Sequence, residues 1–297
     1  GVILARERAV RADYTAGVPY RVDLAGIPDQ AFDQLVDLGA LDVDIIDGRL
    51  AAILPDRVPP EQVSAVLAVG PLTISPAVGR DDESVWVVRP RPLRIARWAL
   101  FPEGTQAEAG LAVHLADAPA FGTGLHPTTA LCLEVLDEQL GTQRDQRLSE
   151  RAGAEAAFDG PASVLDVGTG SGVLAIAALV AGVPQAWALD IDGAALITAA
   201  RNGRASGVAD RLHLAHGGPE SVDGTWPLVL ANVLTAPLID MAPVLMRRLS
   251  HHGRLVLSGI HQSLLDDVER AYRRLGVRQL DVRSRDGWGA LLLQAAW

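Results

Sequence analysis

Val164-Leu165-Asp166-Val167-Gly168-Thr169-Gly170-Ser171-Gly172 is the stretch on which the reading of this chain turns. A short apolar run, Ser163 to Val167, meets three alternating glycines, and an apolar helix-like segment, Val173 to Val180, follows at once. This is the strand, tight turn and helix of a doubly wound nucleotide site. There the backbone must approach a ligand closely and a helix N-terminus faces it. Trp187-Ala188-Leu189-Asp190 reads as the next strand, ending in a carboxylate that can accept hydrogen bonds from both hydroxyls of a ribose.

The glycine spacing narrows the ligand. A dinucleotide fingerprint would put its third glycine at position 173, which here is Val173; the third glycine is Gly172. The resulting GxGxG form suits S-adenosylmethionine, which has no pyrophosphate to cradle. A dehydrogenase stays open only if Val173 can stand in for the missing glycine.

From Ser163 onward, strand and helix patterns alternate. Strands are expected at 163–167, 186–190, 211–215, 227–231, 254–258, 277–284 and 289–295, with helices at 171–181, 193–206, 236–250 and 262–275. Seven strands in this rhythm fit a largely parallel sheet, with the antiparallel pair joined across Asp286-Gly287. Before it, Tyr20 to Leu24 alternates like a strand and Pro28 to Leu38 has helical spacing. Val43 to Ile53 alternates around the turn signal Asp47-Gly48, Pro59-Pro60 opens a helix over Glu61 to Val69, and Ser84 to Val88 reads as a strand. The expected fold is therefore α/β: a Rossmann-like, seven-stranded S-adenosylmethionine-dependent methyltransferase domain with a smaller N-terminal ferredoxin-like α+β domain. Arg89-Pro90-Arg91-Pro92 breaks regular structure. The expected division is 1–89 for the N-terminal domain, 90–118 for a linker with extended segments at 93–100 and 111–115, and 119–297 for the methyltransferase domain. A helix is expected over Pro127 to Leu140, and Gly141 to Gly160 reads as a solvated insertion.

Composition bounds the class. The 297 residues are 49% hydrophobic and 21% charged, which supports a sizeable core. No apolar run approaches the ~20 residues a membrane helix needs. The chain begins at Gly1 without a signal-peptide core, and one cysteine, Cys132, excludes an internal disulfide and a cysteine-rich zinc site. A cytoplasmic, monomeric protein without a metal is expected. The net charge of −10 argues against direct nucleic-acid binding and suits a basic protein partner. All 26 basic residues are arginine, so the chain has no lysine of its own to modify.

Two further stretches stand out. Phe121-Gly122-Thr123-Gly124-Leu125-His126-Pro127-Thr128-Thr129 combines a glycine-hinged loop with a proline-led helix start; it can fold over a ligand or simply begin a helix. Leu230-Ala231-Asn232-Val233-Leu234 ends an apolar strand on a lone asparagine. At the carboxyl end of a strand, Asn232 can turn its carbonyl to an attacking amine, or it can be a turn residue.

Taken together, FGTGLHPTTALCLEVL (121–136), VLDVGTGSGVLAIAAL (164–179), ALDID (188–192), LANVLTAPL (230–238) and LSGIHQS (257–263) resemble the ribosomal protein L-eleven methyltransferase family. The resemblance runs from about Pro92 to Tyr272 and touches Asp286-Gly287-Trp288. It implies transfer of methyl groups from S-adenosylmethionine, leaving S-adenosylhomocysteine, to lysine and terminal amines of a large-subunit ribosomal protein. The N-terminal domain would recognise that protein. Thr129, Gly168, Asp190 and Asn232 would contact the cofactor, with Gly170, Ile191, Asp166 and Thr128 around them, and Phe121, Gly122, Thr123 and Gly124 would form the loop over the site. Ala118-Pro119 replaces the Pro-Gly pair expected before that loop, the 141–160 insertion is longer than usual, and Val85 to Trp98 carries fewer aromatics. A related branch methylates lysines of other proteins. A small-molecule amine or a non-catalytic binding module are the remaining alternatives.

The reaction implied is direct displacement at the sulfonium methyl, to which positioning contributes most. The acceptor amine must be neutral, although free lysine has a pKa of about 10.4. No residue declares itself as the base. Asn232 and His126 are the catalytic candidates. Asp166 would brace the glycine turn or meet the methionine amine, Asp192 would cap a helix, and Cys132 and Trp288 would pack.

Overall fold

A computed structural model describes residues 18–68, 72–81, 83–105, 110–116, 120–148 and 160–297. The chain divides into two compact units, Gly1–Pro90 and Arg91–Trp297.

In the first unit β1 (Tyr20–Asp23), α1 (Ala31–Asp37), β2 (Asp42–Ile46), β3 (Arg49–Leu54), α2 (Pro60–Leu67) and β4 (Thr73–Pro76) build an antiparallel sheet of order β2-β3-β1-β4. That order, with a helix after the first and third strands, is the split βαβ arrangement of ferredoxin-like domains. Asp47 and Gly48, at φ 49° and 73°, make the tight turn between β2 and β3. Leu50, Ala52 and Leu54 of β3 join Leu35, Val63 and Tyr20 in one core, while Ala51 and Ile53 face the other side and meet Val88.

That second face corrects one expectation. The segment 84–88 is not the fourth sheet strand. Its core, β6 (Val85–Trp86), pairs among the described residues only with the two-residue β5 (Gly79–Arg80). Val88 covers the open face of the sheet, held by its N–H to Asp42 Oδ2 (2.7 Å) and by Arg21 Nη1 to its carbonyl (3.2 Å). The fourth strand is β4, which carries a single buried aliphatic, Ile74, before its terminal Pro76.

The second unit opens with β7 (Leu93–Ile95), β8 (Trp98–Pro102) and β9 (Leu111–Leu115), a three-stranded sheet. Residues read from the sequence as a connector thus carry a layer of this unit. Trp98, Leu100, Val113 and Leu115 are buried, and the Trp98 indole N–H donates to Ala177 O at 2.8 Å. The helix expected over 127–140 extends as α3 (Pro127–Leu148); the expected insertion beyond 148 falls largely outside the described residues, as does Ala118-Pro119.

Next come β10 (Ser163–Val167), α4 (Val173–Val180), β11 (Gln185–Asp190), α5 (Gly193–Ala205), β12 (Leu212–His216), β13 (Trp226–Asn232), α6 (Thr235–Arg247), β14 (Leu249–His261), α7 (Leu265–Arg273), β15 (Val277–Arg285) and β16 (Trp288–Ala295). Their sheet has the order β12-β11-β10-β13-β14-β16-β15, parallel except for β16, which runs antiparallel to both neighbours. α4 is apolar on every side because the sheet covers one face while α3 and the β7–β9 layer cover the other. α6 and α7 seal the opposite face of the sheet around Leu238, Leu245, Val268 and Tyr272. The strand order reverses beside β10, so the carboxyl ends of β10, β11 and β13 open onto one crevice. No described helix is long and apolar enough to cross a membrane.

Candidate cofactor and methyl-transfer site

The glycine turn leaves β10 and enters α4. Gly168 and Gly170 have φ of 71° and 54°, a left-handed conformation that a side chain disfavours. A Cβ on Gly168 would collide with Val233, and one on Gly170 would lie 2.5 Å from Phe121 O. The turn is therefore bare where the chain needs close approach. Gly168 N and Thr169 N both donate to Leu189 O at 2.9 Å, which ties the turn to the end of β11.

At that end the Asp190 carboxylate is aimed by backbone. Oδ2 accepts from Gly170 N at 2.8 Å and Oδ1 from Asp192 N at 2.9 Å, so each oxygen keeps a lone pair for a further donor. Asp192 in turn caps α5 through Ala194 N (2.8 Å), as its position suggested. Ile191 beside it is 79% exposed, an apolar surface at the crevice edge.

Asp166 lies beneath the turn. Its Oδ2 accepts from Thr169 Oγ1 (2.6 Å) and from Ala175 N in the first turn of α4 (3.3 Å). The carboxylate thus braces both turn and helix N-terminus. Burial pushes its pKa up to about 7, against the pull of these two hydrogen bonds.

The 121–129 motif folds onto the same turn. Ser171, between Gly170 and Gly172, donates its N–H to Phe121 O and its hydroxyl to Gly122 O, both at 2.8 Å. Thr123 Oγ1 accepts from Leu125 N (3.3 Å), and Gly124 packs so closely on Leu100 that a Cβ would collide. His126 is buried. Its Nδ1 contacts Thr128 Oγ1 at 2.7 Å and accepts the Thr128 N–H at 3.3 Å, which caps the start of α3. The imidazole also packs near Phe121 (centroids 5.3 Å) and edge-on to Trp288 (4.9 Å). Cys132 is fully buried one turn into α3; burial pushes its thiol up to about 12, and Ser258 and Asp166 are its polar neighbours.

Asn232 ends β13, one residue beyond the pairing of Ala231 with Val167. Its partner in β14 is Ser258, whose hydroxyl is spent on Gly289 O (2.9 Å). Among the described residues, three buried side-chain oxygens have no hydrogen-bond partner: Thr129 Oγ1, Asp166 Oδ1 and Asn232 Oδ1. Orphaned buried acceptors are rare because each forfeits solvation. All three belong to motifs singled out in the sequence, and they fit a ligand with amine and hydroxyl donors. The bare glycine turn and Asp190 complete a fit to S-adenosylmethionine.

The sequence reading assigned no role to three residues that the structure places at the site: Ser171 and Gly259, both inside quoted motifs, and Asn202. Gly259, at φ 81°, abuts the Val233 backbone and admits no Cβ. An asparagine followed by Gly203 inside a helix, both weak helix formers, was the available signal for Asn202.

A model of the ribosomal protein L11 methyltransferase family matches residues 71–296. The chain belongs to this family. A ribosomal protein L11 methyltransferase of Methylococcus capsulatus is 40% identical over 210 residues, 69% of this chain and 65% of that protein. One of Pseudomonas putida is 35% identical over 304 aligned positions, covering 90% of this chain and 96% of its own. The chain thus spans slightly under two thirds of the Methylococcus relative and nearly all of the Pseudomonas one. A crystal structure of ribosomal protein L11 methylase from Lactobacillus delbrueckii subsp. bulgaricus, 28% identical, superposes with a TM-score of 0.55 over 66% of this chain and 94% of that one.

Proposed function

We propose that this chain is an S-adenosylmethionine-dependent N-methyltransferase acting on lysine and terminal amines of ribosomal protein L11. The observation that carries the reading is the buried, partnerless Oδ1 of Asn232 at the strand end beside the glycine turn. Family membership and the named relatives support the acceptor.

Asp190 holds the ribose hydroxyls on the lone pairs its backbone donors leave open. Ile191 flanks the adenine with apolar surface. Gly168 and Gly170 admit the ligand against bare backbone, and Phe121 to Gly124, pinned by Ser171, cover it. Thr129 Oγ1 and Asp166 Oδ1 receive the polar groups of its amino-acid end, with Thr128 holding His126 and the start of α3 in place. When bound, S-adenosylmethionine would supply an activated methyl: the acceptor nitrogen would gain a bond to that carbon as the carbon–sulfur bond breaks and the neutral thioether of S-adenosylhomocysteine leaves. Asn232 Oδ1 accepts an N–H of the acceptor amine and so aims the nitrogen lone pair.

The N-terminal unit is proposed to recognise the acceptor protein. Phe32 and Val36, one turn apart on α1, are both exposed and form an apolar stripe suited to a protein contact. The test is methyl transfer from labelled S-adenosylmethionine to purified ribosomal protein, with intact-mass analysis of the product. Label on that protein supports the reading; label on another protein or an amine metabolite redirects the acceptor.

A further inference from the structure

We infer that Asn202 is a positioning residue that holds the cofactor loop in register with the glycine turn. The inference rests on the proposed place of Phe121 to Gly124 over the cofactor.

Asn202 lies on α5, wholly buried, at a helical position where asparagine contributes little by propensity. Its side chain bonds in two directions. Oδ1 accepts from Ala116 N (2.7 Å), and Nδ2 donates to Ser171 O (2.8 Å). Only one orientation of the amide satisfies both, because Ala116 offers an N–H and Ser171 a carbonyl. Ala116 directly follows β9. Ser171 is the residue whose N–H and hydroxyl hold Phe121 and Gly122. A chain of hydrogen bonds therefore runs from Ala116 through Asn202 and Ser171 to Phe121 and Gly122. It fixes both ends of the chain that leads into the loop.

Ser206 supplies an internal comparison. It lies four residues further on and accepts from His114 N at 2.9 Å, so α5 satisfies two alternate N–H groups of the β9 edge. Spacing of four along a helix matches spacing of two along a strand. Both residues tether β9, but only Asn202 also reaches the glycine turn. α5 is also the helix whose cap follows Asp190, so the ribose-binding carboxylate and the loop are referred to one rigid element.

The test compares Asn202→Asp with Ser206→Ala in the full chain, by calorimetry of S-adenosylmethionine binding and by kcat and KM with the acceptor, at a temperature where near-UV dichroism shows each folded. Asn202→Asp keeps the acceptor for Ala116 and sets a carboxylate oxygen against the Ser171 carbonyl. The expected result is a Kd for S-adenosylmethionine raised about tenfold or more, the scale of one lost buried hydrogen bond, with Ser206→Ala within about twofold of the parent. An unchanged Kd in Asn202→Asp overturns the inference, as does an equal change in both variants. If Asn202→Asp does not fold, Asn202→Ala removes the bonds to Ala116 N and Ser171 O without adding a charge; a raised Kd supports the inference and an unchanged one overturns it. Gly122→Ala, whose Cβ would press on Ser171 Oγ, separates the two levels. If it weakens binding while Asn202→Asp does not, the inference alone fails. If it leaves binding intact, the loop is not at the cofactor and the underlying reading fails with it.

Discussion

Replacing Asp166 with asparagine tests the electrostatics of the site. The native carboxyl titrates near 7 against an ordinary value of 3.8, a rise of about three units caused by burial. At 1.36 kcal/mol per unit, an ionised Asp166 opposes folding by about 4 kcal/mol at pH 8. The sign follows from proton linkage: the folded state holds the proton more tightly, so stability is full below about pH 4 and falls as pH rises towards and through 7. In Asp166→Asn the side-chain oxygen can keep Thr169 and Ala175 while the NH₂ takes the place of the partnerless Oδ1, and this pH dependence vanishes. The ligand-free variant should gain stability over the parent at pH 8 and gain little or none at pH 4.5, read by thermal unfolding at both. A cationic amine of the cofactor against Oδ1 would restore the ionised form. Binding to the parent should therefore tighten from pH 5 to 7 with proton release, and the variant should bind about tenfold or more weakly, as for a lost charged hydrogen bond. Identical pH profiles for parent and variant, in both stability and binding, would refute the reasoning.

Other perturbations separate structure from chemistry. Gly170→Ala should abolish measurable cofactor binding, because its Cβ meets Phe121 O at 2.5 Å; calorimetry on the folded variant checks this. Trp98→Phe should lower the stability of the second unit by about 1–3 kcal/mol through the lost bond to Ala177 O, with the cofactor Kd unchanged, as denaturant titration and calorimetry would show. His126→Gln should lower kcat/KM yet leave the shape of its pH profile intact, since Nδ1 caps α3; loss of an ionisation from that profile would make His126 the base.

What the sequence disclosed depended on how local each signal is. The glycine turn and Asp190 were legible because a bare backbone and a strand-end carboxylate are written in contiguous residues. The succession of seven strands and their helices was legible because each carries its own pattern, whereas their order in the sheet came from the structure. β4 was not, since Ile74 is its one buried aliphatic residue and Pro76 reads as a breaker. The β7–β9 layer looked like a connector because prolines punctuate its start, and its burial is decided by α4, far along the chain. The role of Asn202 was hidden for the same reason, beyond the weak helix propensity it shares with Gly203: its partners lie 31 and 86 residues away. The part played by His126 depends on which ring nitrogen meets the start of α3, which no spacing encodes.

Methyl transfer by the parent and Asn232→Ala tests the central claim most directly. Label from S-adenosylmethionine is followed into purified ribosomal protein L11, and the 297 residues carry no lysine side chain that could be labelled in its place. The account predicts label on the acceptor's amines with the parent, and kcat reduced about tenfold to a hundredfold in the variant, the range for a lost hydrogen bond to a developing charge. Undiminished transfer by Asn232→Ala, or no transfer by a parent that binds S-adenosylmethionine, would contradict it.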